Sequence, residues 1–195
     1  MGKYSILKLT FLIMILCGCS QDFNLQKSVF INDVNNPGLP EYSEWGYNTF
    51  GAYIDREVFV STENEQPAKI IVNKDTLNLL LKGKSDSETI TLKFSIIGNV
   101  PADFVGLISL NDSTIDLTNS KCIVTLTKKL TSKRLTVYEG NLFFKRVQTL
   151  YVDKTLTESI LSGTFNFKTI IDGEPIAFSN GRFDLGIGYD NFFKF

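Results

Sequence analysis

The strongest constraint on this chain is the strict alternation from Glu88 to Ile97. Ile90, Leu92, Phe94 and Ile96 share one parity, and Thr91, Lys93 and Ser95 share the other. Period two belongs to an extended strand, so this stretch reads as a strand with one face buried and one solvated. The same period recurs along the chain. Phe50–Ile54 and Glu57–Val60 read as a hairpin turning at Asp55-Arg56, and Ala68–Val72 and Thr76–Leu81 as a second across Asn73-Lys74-Asp75. Phe104–Leu110 resumes the pattern after Pro101, and Lys121–Thr127 puts Cys122, Val124 and Leu126 on one face. No long stretch has helical spacing, and no repeat of solenoid or propeller length recurs. The expected fold is all-β: one antiparallel domain, a two-sheet sandwich or a flattened barrel.

The C-terminal half allows a register to be argued. Asp172-Gly173 is a type I′ turn signal. Closing it pairs Ile171 with Glu174, Thr169 with Ile176 and Phe167 with Phe178. Unbroken register would then set Phe183 against Ser162. One extra residue at Asn180-Gly181 instead lays Phe183 over Gly163 and pairs Leu161 with Leu185, an aromatic covering a strand glycine. Asn141–Val152 slips phase, with Leu142 and Phe144 on one parity and Val147 and Tyr151 on the other, so a bulge is expected near Lys145-Arg146. Asp153-Lys154 then turns into Thr155–Ile171, while Lys128–Arg134 reads as a solvated basic turn.

The N-terminus sets the address. Lys3 and Lys8 flank an apolar run, Leu9–Leu16, too short to span a bilayer as a helix. It ends in Leu16-Cys17-Gly18-Cys19, which resembles a bacterial lipobox, with Cys19 as the lipidated residue. Residues 1–18 are then a signal peptide. Residues 19–40, with breakers at Asn35-Asn36-Pro37-Gly38, form a tether, part of which docks as an edge strand, and 41–195 form the β-domain. The partner implied is a membrane, through acylated Cys19. Ser20 gives no reason for inner-membrane retention, which points to the outer membrane with the face left open. The mature chain has 177 residues, 18 of them basic and 21 acidic. A net charge of −3 gives no electrostatic reason to expect nucleic acid. Cys122 is then the only free thiol, so no internal disulfide forms.

Chemistry is narrowed by what is missing. The chain has no His, which removes Ser-His-Asp and Cys-His catalysis and His-based metal sites. Cys122 reads as a small buried hydrophobe. Asn111, Asp112, Asp116 and Asn119 are oxygen ligands without calcium-loop spacing. No catalytic residue, cofactor or metal site is assigned. Tyr42, Trp45 and Tyr47 concentrate three aromatics, including the only Trp, and read either as a stacking platform or as a hydrophobic clasp.

Leu39-Pro40, Gly46 and Asn48-Thr49-Phe50-Gly51-Ala52, then Val58-Phe59-Val60, resemble the opening motif of a domain-of-unknown-function family of Bacteroidota lipoproteins. Leu161–Phe167 and Asn180–Asp184 resemble its closing hairpin. The resemblance implies an envelope lipoprotein and carries no activity or site residues. Asp75-Thr76-Leu77 and Asp112-Ser113-Thr114 resemble the O-glycosylation motif of such exported proteins, with Thr76 and Ser113 as acceptors.

The leading expectation is a non-catalytic, lipid-anchored envelope module that binds a glycan or a protein through the aromatic run. Two alternatives stay open: a hydrolase using two carboxylates, and a structural or assembly lipoprotein with no small ligand. The C-terminal run Tyr189–Phe195, ending in Phe with Tyr189 and Phe193 in phase, adds a minor reading as a membrane barrel.

Overall fold

The computed structural model describes residues 28–63 and 65–195. The leader, Cys19 and the first part of the expected tether lie outside the described residues. The alternating stretches become twelve strands: β1 (Thr49–Ile54), β2 (Glu57–Val60), β3 (Ala68–Asn73), β4 (Thr76–Ser85), β5 (Glu88–Ile97), β6 (Ser113–Asp116), β7 (Cys122–Lys128), β8 (Thr131–Leu135), β9 (Val137–Val152), β10 (Thr155–Ile171), β11 (Glu174–Gly188) and β12 (Phe192–Lys194). They form one continuous sheet along the path β6-β9-β10-β11-β1-β2-β4-β5-β7-β8. Within that path β4 forks, pairing through Thr76–Leu81 with β3 and through its last two residues with β2. Short β12 adds to β3 in parallel; the other pairings are antiparallel.

The sheet folds over into two layers, giving a sandwich-like fold. Phe94 on β5 meets Phe165 and Phe167 on β10 edge-on, with ring centroids 5.5 and 6.2 Å apart. The chain crosses between layers at Thr136, where β8, paired with β7, runs into β9, paired with β10. The Thr169 hydroxyl donates to the Thr136 carbonyl at 2.9 Å and holds that corner. β6 and β8 remain the two ends, so the sheet is open and is not a closed barrel. This overturns the membrane-barrel reading. The apolar parity of the strands packs inward, with Leu92, Phe94, Leu142, Phe144, Phe165 and Phe183 essentially inaccessible, instead of facing outward as a lipid-exposed barrel requires. Burying each such side chain contributes about 1.5–3 kcal/mol. Cys122 belongs to this core, where burial, with help from the Asp116 charge, pushes its thiol up to about 11.

The β10–β11 hairpin has the register its turn dictates. Asp172 and Gly173 take φ of 55° and 92°, and Ile171 pairs with Glu174, Thr169 with Ile176 and Phe167 with Phe178. The extra residue falls at Ser179-Asn180, one position earlier than expected, with Asn180 at φ 51°. Gly163 then faces Phe183, and Leu161 faces Leu185. A Cβ on Gly163 would stand 2.0 Å from the Phe143 carbonyl oxygen and 2.6 Å from the Phe183 ring, so backbone and ring together occupy the space that a side chain would need. The bulge in β9 is also present: Ser162 pairs with Arg146 and Gly163 with Phe144, leaving Lys145 as the extra residue. The neighbouring Val147 N–H donates to Asn111 Oδ1 at 2.8 Å.

Three expectations are corrected. Phe104–Leu110 is not a strand; Val105–Leu110 is a 3-10 helix. Phe104, Leu107 and Leu110 share its buried face, because three residues per turn superpose every third side chain. Lys128–Arg134 is a turn only at Lys129-Leu130; Thr131–Leu135 is the end strand β8. The segment expected to be a tether is, from Ser28 to Pro40, packed on the domain. Leu39 is fully buried, the Asp33 N–H donates to the Leu39 carbonyl at 3.0 Å, and the Glu41 N–H to the Ile31 carbonyl at 2.7 Å. It is not a strand: the bridge Asn32–Pro40 closes the segment on itself, and it docks through the Val29 N–H on the Tyr47 carbonyl and the Tyr53 hydroxyl on the Pro37 carbonyl. The breakers specify a tight turn there, with Asp33 accepting from the Asn35 N–H and the Asn36 amide at 2.8 Å each.

Candidate functional site

β11 alternates like any strand, so Phe183 and Leu185 point into the core while Arg182, Asp184 and Gly186 face outward. That outward row straps down the N-terminal segment. Arg182 pairs with Asp33, and Asn180 donates to Asn36 at 2.7 Å. The Gly186 N–H donates to Asn48 Oδ1 at 2.8 Å. The polar residues of the two motifs at the ends of the domain therefore meet on one surface, the outer face of β9, β10 and β11.

Asp184 is the centre of the strap. It is 2% exposed and has no cationic partner among the described residues. Five neutral donors compensate it. The N–H groups of Trp45, Gly46 and Tyr47 reach it at 3.1, 2.8 and 3.1 Å, the Ser162 hydroxyl at 2.8 Å, and the Ser43 hydroxyl makes a further short hydrogen bond. Successive backbone N–H groups make a concave anion site, filled here by the chain's own carboxylate. Gly46 permits the curl: its φ is +77°, and a Cβ there would stand 3.1 Å from Ile160.

The upper side of the same loop carries the exposed chemistry. Trp45 is 73% exposed, whereas Tyr42 and Tyr47 are half-buried. Tyr42, Ser43, Glu44, Trp45, Arg146 and Gln148 line a shallow cavity of about 330 Å³. Tyr47 does not line it; its backbone is spent on Asp184. Glu44 is the hub. It accepts from the Tyr42 hydroxyl at 3.0 Å, and Arg146 and Lys145 approach its carboxylate at 3.2 and 3.4 Å. Gln148 donates to the Glu44 carbonyl at 3.0 Å, and the Lys145 ammonium stands 4.7 Å from the Tyr42 ring centre. Burial pushes the Tyr42 hydroxyl upward, and its bond to Glu44 adds to the shift. Burial also acts to raise Glu44, but the Tyr42 hydrogen bond and the two cations outweigh it and hold the carboxyl below its ordinary range.

Glu44, Arg146 and Gln148 escaped the sequence reading, although one signal was available. A bulge turns two successive residues to the same face. The phase slip at Lys145-Arg146 thus marked where two adjacent cations would both point outward.

Among the described residues, Glu158 and Asp184 are two acids close enough for one to shift the other. Burial, then the Asp184 charge, raises the Glu158 carboxyl. Asp184 is saturated by its five donors and shielded from solvent, so it has neither the free lone pair nor the access that acid–base work requires. Three of the four oxygen side chains at 111–119 are engaged by the protein: Asn111 accepts from the Val147 N–H, Asp116 from Thr118 and Asn119 from the Lys121 N–H. No cluster of three or more acidic or thiol ligands occurs among the described residues. Of the two glycosylation triplets, Ser113 donates to the Leu110 carbonyl at 2.6 Å at a half-buried position, whereas Thr76 sits beside an exposed turn, bonded to Asp75. No family model, curated protein or solved structure matches the chain.

Proposed function

We propose that this chain is a lipid-anchored envelope protein whose β-domain binds a glycan without chemically transforming it. The observation that supports this reading is Trp45, held out in water at 73% exposure by a loop that Asp184 fixes from beneath. A large aromatic gains little for folding in that position, and rigid exposed aromatics suit the stacking of flat apolar faces such as those of sugar rings. The neighbours supply what hydroxyl groups need: donors on Arg146 and Gln148 and an acceptor on Glu44. The loop's fixed shape lowers the ordering cost of binding. The Leu16–Cys19 motif and the resemblance to Bacteroidota lipoproteins support the envelope address.

Trp45 is the only tryptophan in the chain, so its fluorescence reports on this site alone. Titration across a glycan panel is expected to give a saturable change in emission with at least one member. The Tyr42→Ala variant should bind that member more weakly while remaining folded. A folded protein whose emission answers to no glycan would overturn the reading in favour of a structural lipoprotein.

A further inference from the structure

We infer that the glycan taken at Trp45 is acidic and membrane-borne: the saccharide headgroup of a glycolipid in the same membrane that holds Cys19. This rests on the carbohydrate reading of Trp45 and on the lipid at Cys19, and adds where the sugar sits and what charge it carries.

The first support is reach. Eight residues, 20–27, separate Cys19 from Ser28. Fully extended they span about 30 Å at most. Ser28 is already buried, and the Val29 N–H donates to the Tyr47 carbonyl at 2.8 Å. The chain therefore enters the domain beside the aromatic loop, two residues from Trp45. The described chain thus begins on the face that carries the cavity. Val29 and Ile31 are partly exposed on the same strap, and Val34 almost wholly so.

The second support is charge. Arg146 lines the cavity and Lys145 stands beside Glu44 and the Tyr42 ring, while the Asp184 carboxylate beneath the loop is taken up by its five donors. Arg146 engages Glu44 through Nη1, and its guanidinium has further N–H groups in a fixed fork, which suits a phosphate or carboxylate on a sugar. A ligand in the anchoring membrane meets a tethered site at about millimolar effective concentration, so a shallow site is sufficient.

The test uses the full acylated chain in phosphatidylethanolamine vesicles. One set carries rough-type lipopolysaccharide, whose core sugars are phosphorylated; a second carries neutral galactosyl diacylglycerol; a third carries no sugar. Free core oligosaccharide is titrated in parallel against the Cys19→Ala protein. Shielding of Trp45 from a soluble quencher reports occupancy. The expected result is shielding on the lipopolysaccharide vesicles alone, reduced by Arg146→Gln. A Gly/Ser insertion that quadruples the linker should lower the apparent affinity about eightfold, following the three-halves power of length. Equal shielding on neutral glycolipid overturns the acidic assignment, and shielding on sugar-free vesicles shows contact with bare lipid instead. Binding of free oligosaccharide with no gain on vesicles overturns the membrane-borne source but leaves the carbohydrate reading standing. No response to any sugar removes both.

Discussion

Asp184 and Glu44 lie on opposite sides of one loop and are satisfied in opposite ways. Asp184, below, is buried and meets only neutral donors, three of them backbone N–H groups with fixed directions. Glu44, above, has a side chain 24% exposed and meets two flexible cations. The difference separates structure from recognition. Buried dipoles that cannot reorient define the shape of the loop, whereas solvated ion pairs contribute little to stability and exchange partners easily. The loop is thus rigid where it touches the sheet and chemically available where it faces outward.

Breaking the lower side should have the largest effect. Asp184→Ala leaves five donors without their acceptor and should cost about 3 kcal/mol or more, read as a fall in denaturation midpoint. It should also abolish ligand-dependent Trp45 emission by releasing the loop. A loss under about 1 kcal/mol would show that the carboxylate is not the loop's main restraint. Ser162→Ala removes one fully buried donor and should cost about 1 kcal/mol by the same measurement.

Glu158, half-buried beside Asp184, sharpens the contrast through pH. Its folded pKa is raised above the reference value of 4.5. It therefore adds stability below the unfolded pKa and loses that contribution as pH rises through the folded value. Glu44, with its folded pKa lowered, contributes above the unfolded pKa and loses that contribution as pH falls. Glu158→Gln should raise the Tm at neutral pH and flatten the Tm profile above pH 4.5; an unchanged profile would count against burial of this carboxyl. The upper side should respond least. Glu44→Gln and Trp45→Ala should each change stability by no more than about 0.5 kcal/mol. Trp45→Ala should nonetheless remove glycan binding, measured by calorimetry because the fluorophore is gone. A large stability loss in Trp45→Ala would make the aromatic run a clasp after all.

Much of the fold was legible because its signals are local. Alternation located β5 residue for residue, Asp172-Gly173 set the register of β10 and β11, and a wasted aromatic at Phe183 disclosed the bulge that carries it to Gly163. The 3-10 helix was misread because the spacing of Phe104, Leu107 and Leu110 is hard to separate from alternation in seven residues. The docked Ser28–Pro40 segment was misread because Asn, Pro and Gly mark a turn without saying whether it is held. Arg182 holds it from 149 residues away.

The sequence by itself determined the class, most of the longer strands, two bulges and the hairpin turns, because steric preference and period two act between residues close along the chain; the short strands β6, β8 and β12 escaped it. It also placed Trp45, Tyr42 and Tyr47 in one loop. Only the tertiary structure decided which of them face outward, that β11 presents Asp184 to that loop, and that the β9 bulge brings Lys145 and Arg146 to Glu44. Those outcomes depend on groups more than 100 residues apart meeting across a sheet. Buried carboxylates select their donors by geometry in space, and spacing along the chain does not encode that choice.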